Sequence, residues 1–150
     1  MRKVFRWSVA AIALVLLGAQ FIRPARSNPT SDPSLSLTAV RPMPTHVAGA
    51  LDRACRDCHS NETRWPWYSH VAPVSWFVID HVNHGRSHFN YSDWSRYEPE
   101  EAARLLKKSC ELARGQAMPL YSYTLMHRTA RLTPGEVRAL CAYTAAHSEP

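Results

Sequence analysis

The chain has 150 residues, 45% hydrophobic and 20% charged, which is enough for one compact domain and too few for a multidomain enzyme. Its net charge is +6, but Arg2, Lys3, Arg6, Arg23 and Arg26 carry most of that, leaving 13 basic against 12 acidic residues after position 26. A nucleic-acid binder should have its basic patch on the folded domain, so that class is excluded.

Trp7 to Ile22, WSVAAIALVLLGAQFI, is apolar apart from Ser8 and Gln20 and follows three basic residues. From Val4 onward the run makes about 28 Å of helix, against a bilayer core of about 30 Å. Residues 1–26 are therefore expected to be a retained transmembrane anchor. A cleaved signal peptide is the alternative, with Ala25-Arg26-Ser27 as a poor cleavage site. Residues 27–44 hold Pro29, Pro33, Pro42 and Pro44 without an apolar period, and are expected to be an extended tether.

The folded domain is expected over 45–150 and all-α. Thr45 is the expected cap of a helix running to about Arg56, with Val47, Ala50, Leu51 and Ala54 on one face. Ala72 to Asn83 is predicted next, with Pro73 in its first turn, Val74, Phe77, Val78 and His81 sharing a face and Gly85 at its end. Pro99 to Arg114 follows, acidic at its start, basic toward its end and closed by Gly115. A short turn is expected at Ser122 to His127. Thr133-Pro134-Gly135-Glu136 reads as a capping box that starts the last helix, with Val137, Leu140, Cys141 and Thr144 inward.

Cys55-Arg56-Asp57-Cys58-His59 is C-x-x-C-H, the attachment signature of haem c. Two cysteines one helical turn apart reach the two vinyl groups of one porphyrin edge, and the adjacent His59 ligates iron from below. A zinc half-site and a redox dithiol are the alternatives. Cys110 and Cys141 do not form a second CxxC, and no βαβ pattern surrounds the first. Attachment of this kind occurs outside the cytoplasm. It places the domain in the periplasm, on the outer face of the inner membrane of a Gram-negative cell.

The chain resembles a family of membrane-anchored bacterial haem-binding domain proteins that are c-type cytochrome-like. The resemblance rests on QFIRPARSNP at 20–29, CRDCHSNETRWPWYSHVAPVSW at 55–76, HVNHGRSHFNYSDW at 81–94 and AMPLYSYTLMHRTARLT at 117–133. It implies a single covalent haem, a retained anchor and a cytochrome c-like helical fold. Cys110 and Cys141 depart from the expected pattern, so no role for them is carried over.

Met118, in a loop before the last helix, is the expected distal iron ligand. His70, His127, Met126 or an open position are the alternatives. His81, His84 and His88 are expected to be a surface cluster. Trp65, Trp67, Tyr68 and Trp76 are candidate walls of the cofactor pocket, and Arg64, Arg86 and Arg128 are candidate propionate partners. Cys110 and Cys141 are expected to form a disulfide, with two buried free thiols as the alternative. The expected function is single-electron transfer at the membrane through unnamed redox partners, without enzymatic turnover. A haem-based sensor or gas binder is the alternative.

Overall fold

Where the sequence carries an apolar period it is that of a helix, and the computed structural model is helical. The model describes residues 1–147 and contains no strand among them; the last three residues of the expected 45–150 domain lie outside the described residues. Eight α-helices occur among the described residues: α1 Arg2–Ala19, α2 Leu37–Val40, α3 Thr45–Ala54, α4 Arg56–His59, α5 Val74–His88, α6 Pro99–Arg114, α7 Tyr121–Met126 and α8 Pro134–Ala146. Short 3-10 turns lie at Pro33–Leu35, Trp67–His70, Tyr91–Arg96 and Arg128–Ala130.

Helix α3 buries the four residues its period marked, Val47, Ala50, Leu51 and Ala54, although Pro44 rather than Thr45 occupies its N-cap. Helix α6 has Pro99 in its first turn with Glu100 and Glu101, and buries Leu105, Leu106, Cys110 and Ala113. Thr133 and Glu136 complete a reciprocal capping box at the start of α8. Helices α6 and α8 pack on each other, α3 packs on α8, and α4 packs on α5. Cys110 and Cys141 are disulfide-bonded across the α6–α8 contact.

Three expectations are corrected. No helix among the described residues is long and apolar enough to cross a membrane. Helix α1 ends at Ala19, and Arg2, Lys3 and Arg6 occupy its first turns. Its uncharged part, Trp7 to Ala19, is about 20 Å long. The transmembrane helix expected within 1–26 is therefore not supported.

The segment 27–44 is not a free tether. Leu37 lies in the main core with Val47, Leu51 and Trp94, and Met43 packs against that core. Tyr143 Oη donates to the Arg41 carbonyl at 3.1 Å. The folded unit thus begins before Thr45. Its first residues carry no helical period because they are held by distant contacts rather than by their neighbours.

Helix α5 also differs. It runs on through Gly85 to His88 and buries Ser75, Ile79, Val82 and Gly85. The shared face of Val74 and Phe77 is not the buried one: they are 46% and 51% exposed. Gly85 sets this rotation. A Cβ there would overlap the Cys58 carbonyl oxygen, so only glycine lets α5 approach α4 so closely.

Candidate functional site

Cys55 interrupts the helical path at the end of α3, with φ −126° and ψ −35°, and α4 restarts at once. The Cys55 carbonyl accepts from the amides of Cys58 at 3.2 Å and His59 at 3.0 Å. Both cysteines and the histidine therefore lie on one turn. The two cysteines are free. Burial pushes the Cys55 thiol up to about 12, against a hydrogen bond from Tyr91. Burial, with the Asp57 charge adding to it, pushes Cys58 up to about 11. Both stay protonated at neutral pH, unlike the activated thiolate of a redox dithiol. No group of three or more His, Cys, Asp or Glu placed to hold a metal ion occurs among the described residues.

His59 is buried and its ring stacks on Phe89, centroids 4.1 Å apart and planes 9° from parallel. Its Nδ1 lies 3.3 Å from the Phe89 carbonyl oxygen. A carbonyl only accepts, so Nδ1 carries the proton and the Nε2 lone pair is left for ligation. Burial holds the His59 pKa below its ordinary 6.5, against the opposing pull of the Phe89 and Gly85 carbonyls, which keeps the ring neutral.

Cys55, His59 and Met118 line one small cleft of about 30 Å³, together with Phe89, Leu112 and Leu140. Met118 is delivered there by a turn that departs from expectation. Gly115 does not adopt the left-handed cap; Gln116 does, at φ 57°. The amides of Ala117 and Met118 then both donate to the Leu112 carbonyl, at 3.0 and 3.2 Å, folding the loop back on the end of α6.

Cys58 opens instead onto a separate cavity of about 360 Å³, walled by Trp67, Val74, Phe77, Tyr123, Met126 and His127. That volume is in the range of cofactor pockets, whereas the 30 Å³ cleft is far below it. The donor set fits a haem: two protonated thiols on one turn, a neutral imidazole with a free Nε2, a thioether on the same cleft as that imidazole, and an apolar cavity beside Cys58.

The alternative iron ligands are placed otherwise. Tyr68 Oη and His127 Nε2 are 2.6 Å apart. Burial raises the Tyr68 pKa, so the phenol stays protonated, and His127 Nε2 is engaged by it. His70 is exposed, and Met126 lies on the Cys58 cavity rather than the His59 cleft. His84 and His88 are exposed and His81 bonds back to the Phe77 carbonyl at 2.8 Å.

Of the candidate propionate partners, Arg64 is engaged by Asp57 and Asp52. Arg86 is engaged by the Ser60 and Ser27 carbonyls, Asn28 Oδ1 and Thr63 Oγ1. Arg128 is exposed. Among the aromatics, Trp67 and Tyr68 do line the Cys58 cavity. The indoles of Trp65 and Trp76 instead donate to Asn28 Oδ1 and the Ile22 carbonyl.

Asp57 is a site residue with no signal in the sequence, because an x position of CxxC carries no pattern. It is buried, accepts from Arg64 Nε at 2.9 Å, and accepts from Tyr123 Oη at 2.8 Å. Burial and this bond raise the Tyr123 pKa. The turn bearing Cys58 is thereby tied to α7, whose ring Tyr123 stacks on His127 with centroids 4.4 Å apart.

A family model described as a haem-binding domain matches residues 14–146. No curated protein and no solved structure matches the chain.

Proposed function

The chain belongs to the haem-binding domain family, and from that premise we propose that it holds one haem c covalently and passes single electrons on the periplasmic side of the inner membrane. The observation that carries this reading is the turn on which Cys55, Cys58 and His59 sit together, with Met118 on the same cleft as His59. Cys55 and Cys58 would hold the haem through thioether links, each thiol's sulfur and hydrogen adding across one vinyl group, so that no external oxidant would be needed. His59 would hold the iron through Nε2, its tautomer fixed by the Phe89 carbonyl. Met118 would hold the iron through its thioether, a neutral ligand that favours the ferrous state.

Once bound, the haem supplies a one-electron ferric/ferrous couple. The protein's contribution would be to orient it, exclude water with the apolar walls beside Cys58, and hold the iron with His59 and Met118 together. Iron held by two protein ligands would suit a carrier better than an enzyme. The redox partners on either side are unnamed membrane or periplasmic proteins. Export is part of the proposal because haem c attachment takes place outside the cytoplasm.

A second reading is a haem-based sensor or gas binder, favoured by the cavity of about 360 Å³ beside Cys58 with its Tyr68–His127 hydrogen bond. One experiment separates the two. Absorption spectra of ferric and ferrous protein are taken with and without carbon monoxide, and haem staining follows denaturing electrophoresis. Haem that stays with the chain and a ferrous spectrum that responds slowly to carbon monoxide support the carrier. Haem extracted by acid defeats covalent attachment, and immediate carbon monoxide binding favours the sensor.

A further inference from the structure

Helix α1 buries none of its residues. Phe5, Trp7, Leu14 and Leu17 are all more than 60% exposed. A helix this apolar is not left in water without a partner. Its far end, however, is not loose. The Gln20 side chain donates to the Ala72 carbonyl at 3.0 Å and accepts from the Ala72 amide at 3.1 Å. Trp76 Nε1 donates to the Ile22 carbonyl at 2.8 Å, and Arg26 donates to the Ser69 carbonyl at 2.9 Å. These bonds fasten the end of α1 to the segment 69–76.

That same segment begins a second uncovered apolar surface. Val71, Val74 and Phe77 are exposed there, with Trp67, 73% exposed, beside them. Trp67, Val74, Phe77 and Met126 border one cavity, so they form a continuous rim rather than scattered single residues. Tyr121 and Leu125, from the same short helix as Met126, are also exposed. The α5 face that carries Val74 and Phe77 is thus turned outward at the point where α1 is fastened.

We propose that the α1 helix and the rim formed by Trp67, Val71, Val74, Phe77, Leu125 and Met126 form one membrane-contact face, seating the domain directly on an anionic bilayer with the Cys58 cavity opening toward lipid. Charge selects the occupant. Arg2, Lys3 and Arg6 precede the apolar part of α1 and Arg23 and Arg26 follow it, with no acidic residue in that stretch. Such a pattern complements anionic headgroups at both ends of an apolar insert. Trp67 and Tyr121 have the amphipathic rings that settle at the headgroup boundary. The inference rests on the proposed location at the periplasmic side of the inner membrane and goes beyond it. A domain on a loose tether would stand away from the bilayer, whereas this one is held against it in a fixed orientation.

The test uses the full-length haem-loaded protein on vesicles of phosphatidylcholine and phosphatidylglycerol that contain a diazirine-bearing acyl chain. After irradiation, labelled peptides are mapped by mass spectrometry. The expected labels fall on 1–22 and also on 67–77 and 121–126, with none on the exposed charged surface of α6 around Lys107, Lys108 and Glu111. Labels on 1–22 alone overturn the shared contact face while leaving the proposed location at the membrane standing. Labels on none of these peptides overturn both. The double variant Val74→Asp, Phe77→Asp changes exposed positions and should keep the helical circular dichroism. Its vesicle affinity should fall about tenfold or more, the order expected when two apolar side chains are withdrawn from lipid. Unchanged affinity in that folded variant overturns the contact.

Discussion

Gly85 and Cys58 are in backbone contact across the α4–α5 interface. A Cβ at position 85 would overlap the Cys58 carbonyl oxygen and lie 3.0 Å from its carbonyl carbon. The atoms in the way are main chain and cannot rotate aside. Gly85→Ala should therefore push α5 away from the attachment turn, at a cost of about 1–3 kcal/mol. Thermal melting should show the loss, and the yield of haem-stained protein should fall with it. An unchanged melting temperature would mean that the two helices separate without cost.

Met118→Ala should leave haem attached, because Cys55 and Cys58 are untouched. The ferric far-red charge-transfer band of a thioether-ligated haem should disappear, and carbon monoxide should bind the reduced variant readily. Persistence of the band would transfer the distal role to another residue, with Met126 on the Cys58 cavity as the next to replace.

Arg86 joins three parts of the chain: the Ser60 carbonyl, Thr63 Oγ1, and the 27–28 segment through Ser27 and Asn28. Arg86→Ala should release that segment at about 1.5–3 kcal/mol, the order of a hydrogen-bonded charge. Limited proteolysis should then cut within residues 23–36 well before it cuts wild type. Arg86→Lys should not restore protection, because a single ammonium cannot span the guanidinium's four acceptors. Equal protease resistance in all three proteins would show that other contacts hold the segment.

The Cys110–Cys141 disulfide closes a loop with sequence separation 31. Loop entropy gives a stabilisation of about 3.6 kcal/mol. Paired Cys110→Ser and Cys141→Ser substitutions should lower the melting temperature by about 10 °C or more for a domain of this size. Thiol labelling of unfolded, unreduced wild type should find neither cysteine free. Two labelled thiols at those positions would remove the crosslink from the account.

Acid should weaken the start of α8. The Thr133 amide first, and then Arg53, hold the Glu136 carboxyl below its ordinary 4.5. A carboxyl depressed in the folded state contributes stability that is full above its unfolded value and is lost as pH falls through the folded one. Glu136→Gln should therefore lower the denaturant midpoint at neutral pH and bring little further change by about pH 3. A difference between the two proteins that stays constant over that range would assign the effect to packing and not to charge.

The sequence by itself determined what depends on near neighbours. The inward face of α3, the span of α6 from Pro99 to Arg114, the Thr133–Glu136 box and the Cys55–His59 turn are each fixed by residues within four positions of one another. Those distances are the ones that helical period and capping encode. Tertiary structure alone decided the rest. Leu37 enters the core through contacts with residues far along the chain, so its Pro-rich surroundings read as a tether. The inward face of α5 was set by Gly85 meeting Cys58, a contact across 27 positions that outweighed the apolar pattern of Val74 and Phe77. Asp57 became a junction only when Arg64 and Tyr123 reached it from two sides. The placement of Met118 on the His59 cleft depended on Gln116 taking the left-handed turn. A chain neighbour constrains a residue through its backbone dihedrals, but a residue brought near by folding constrains it through volume and hydrogen bonds, and those exist only once the helices have packed.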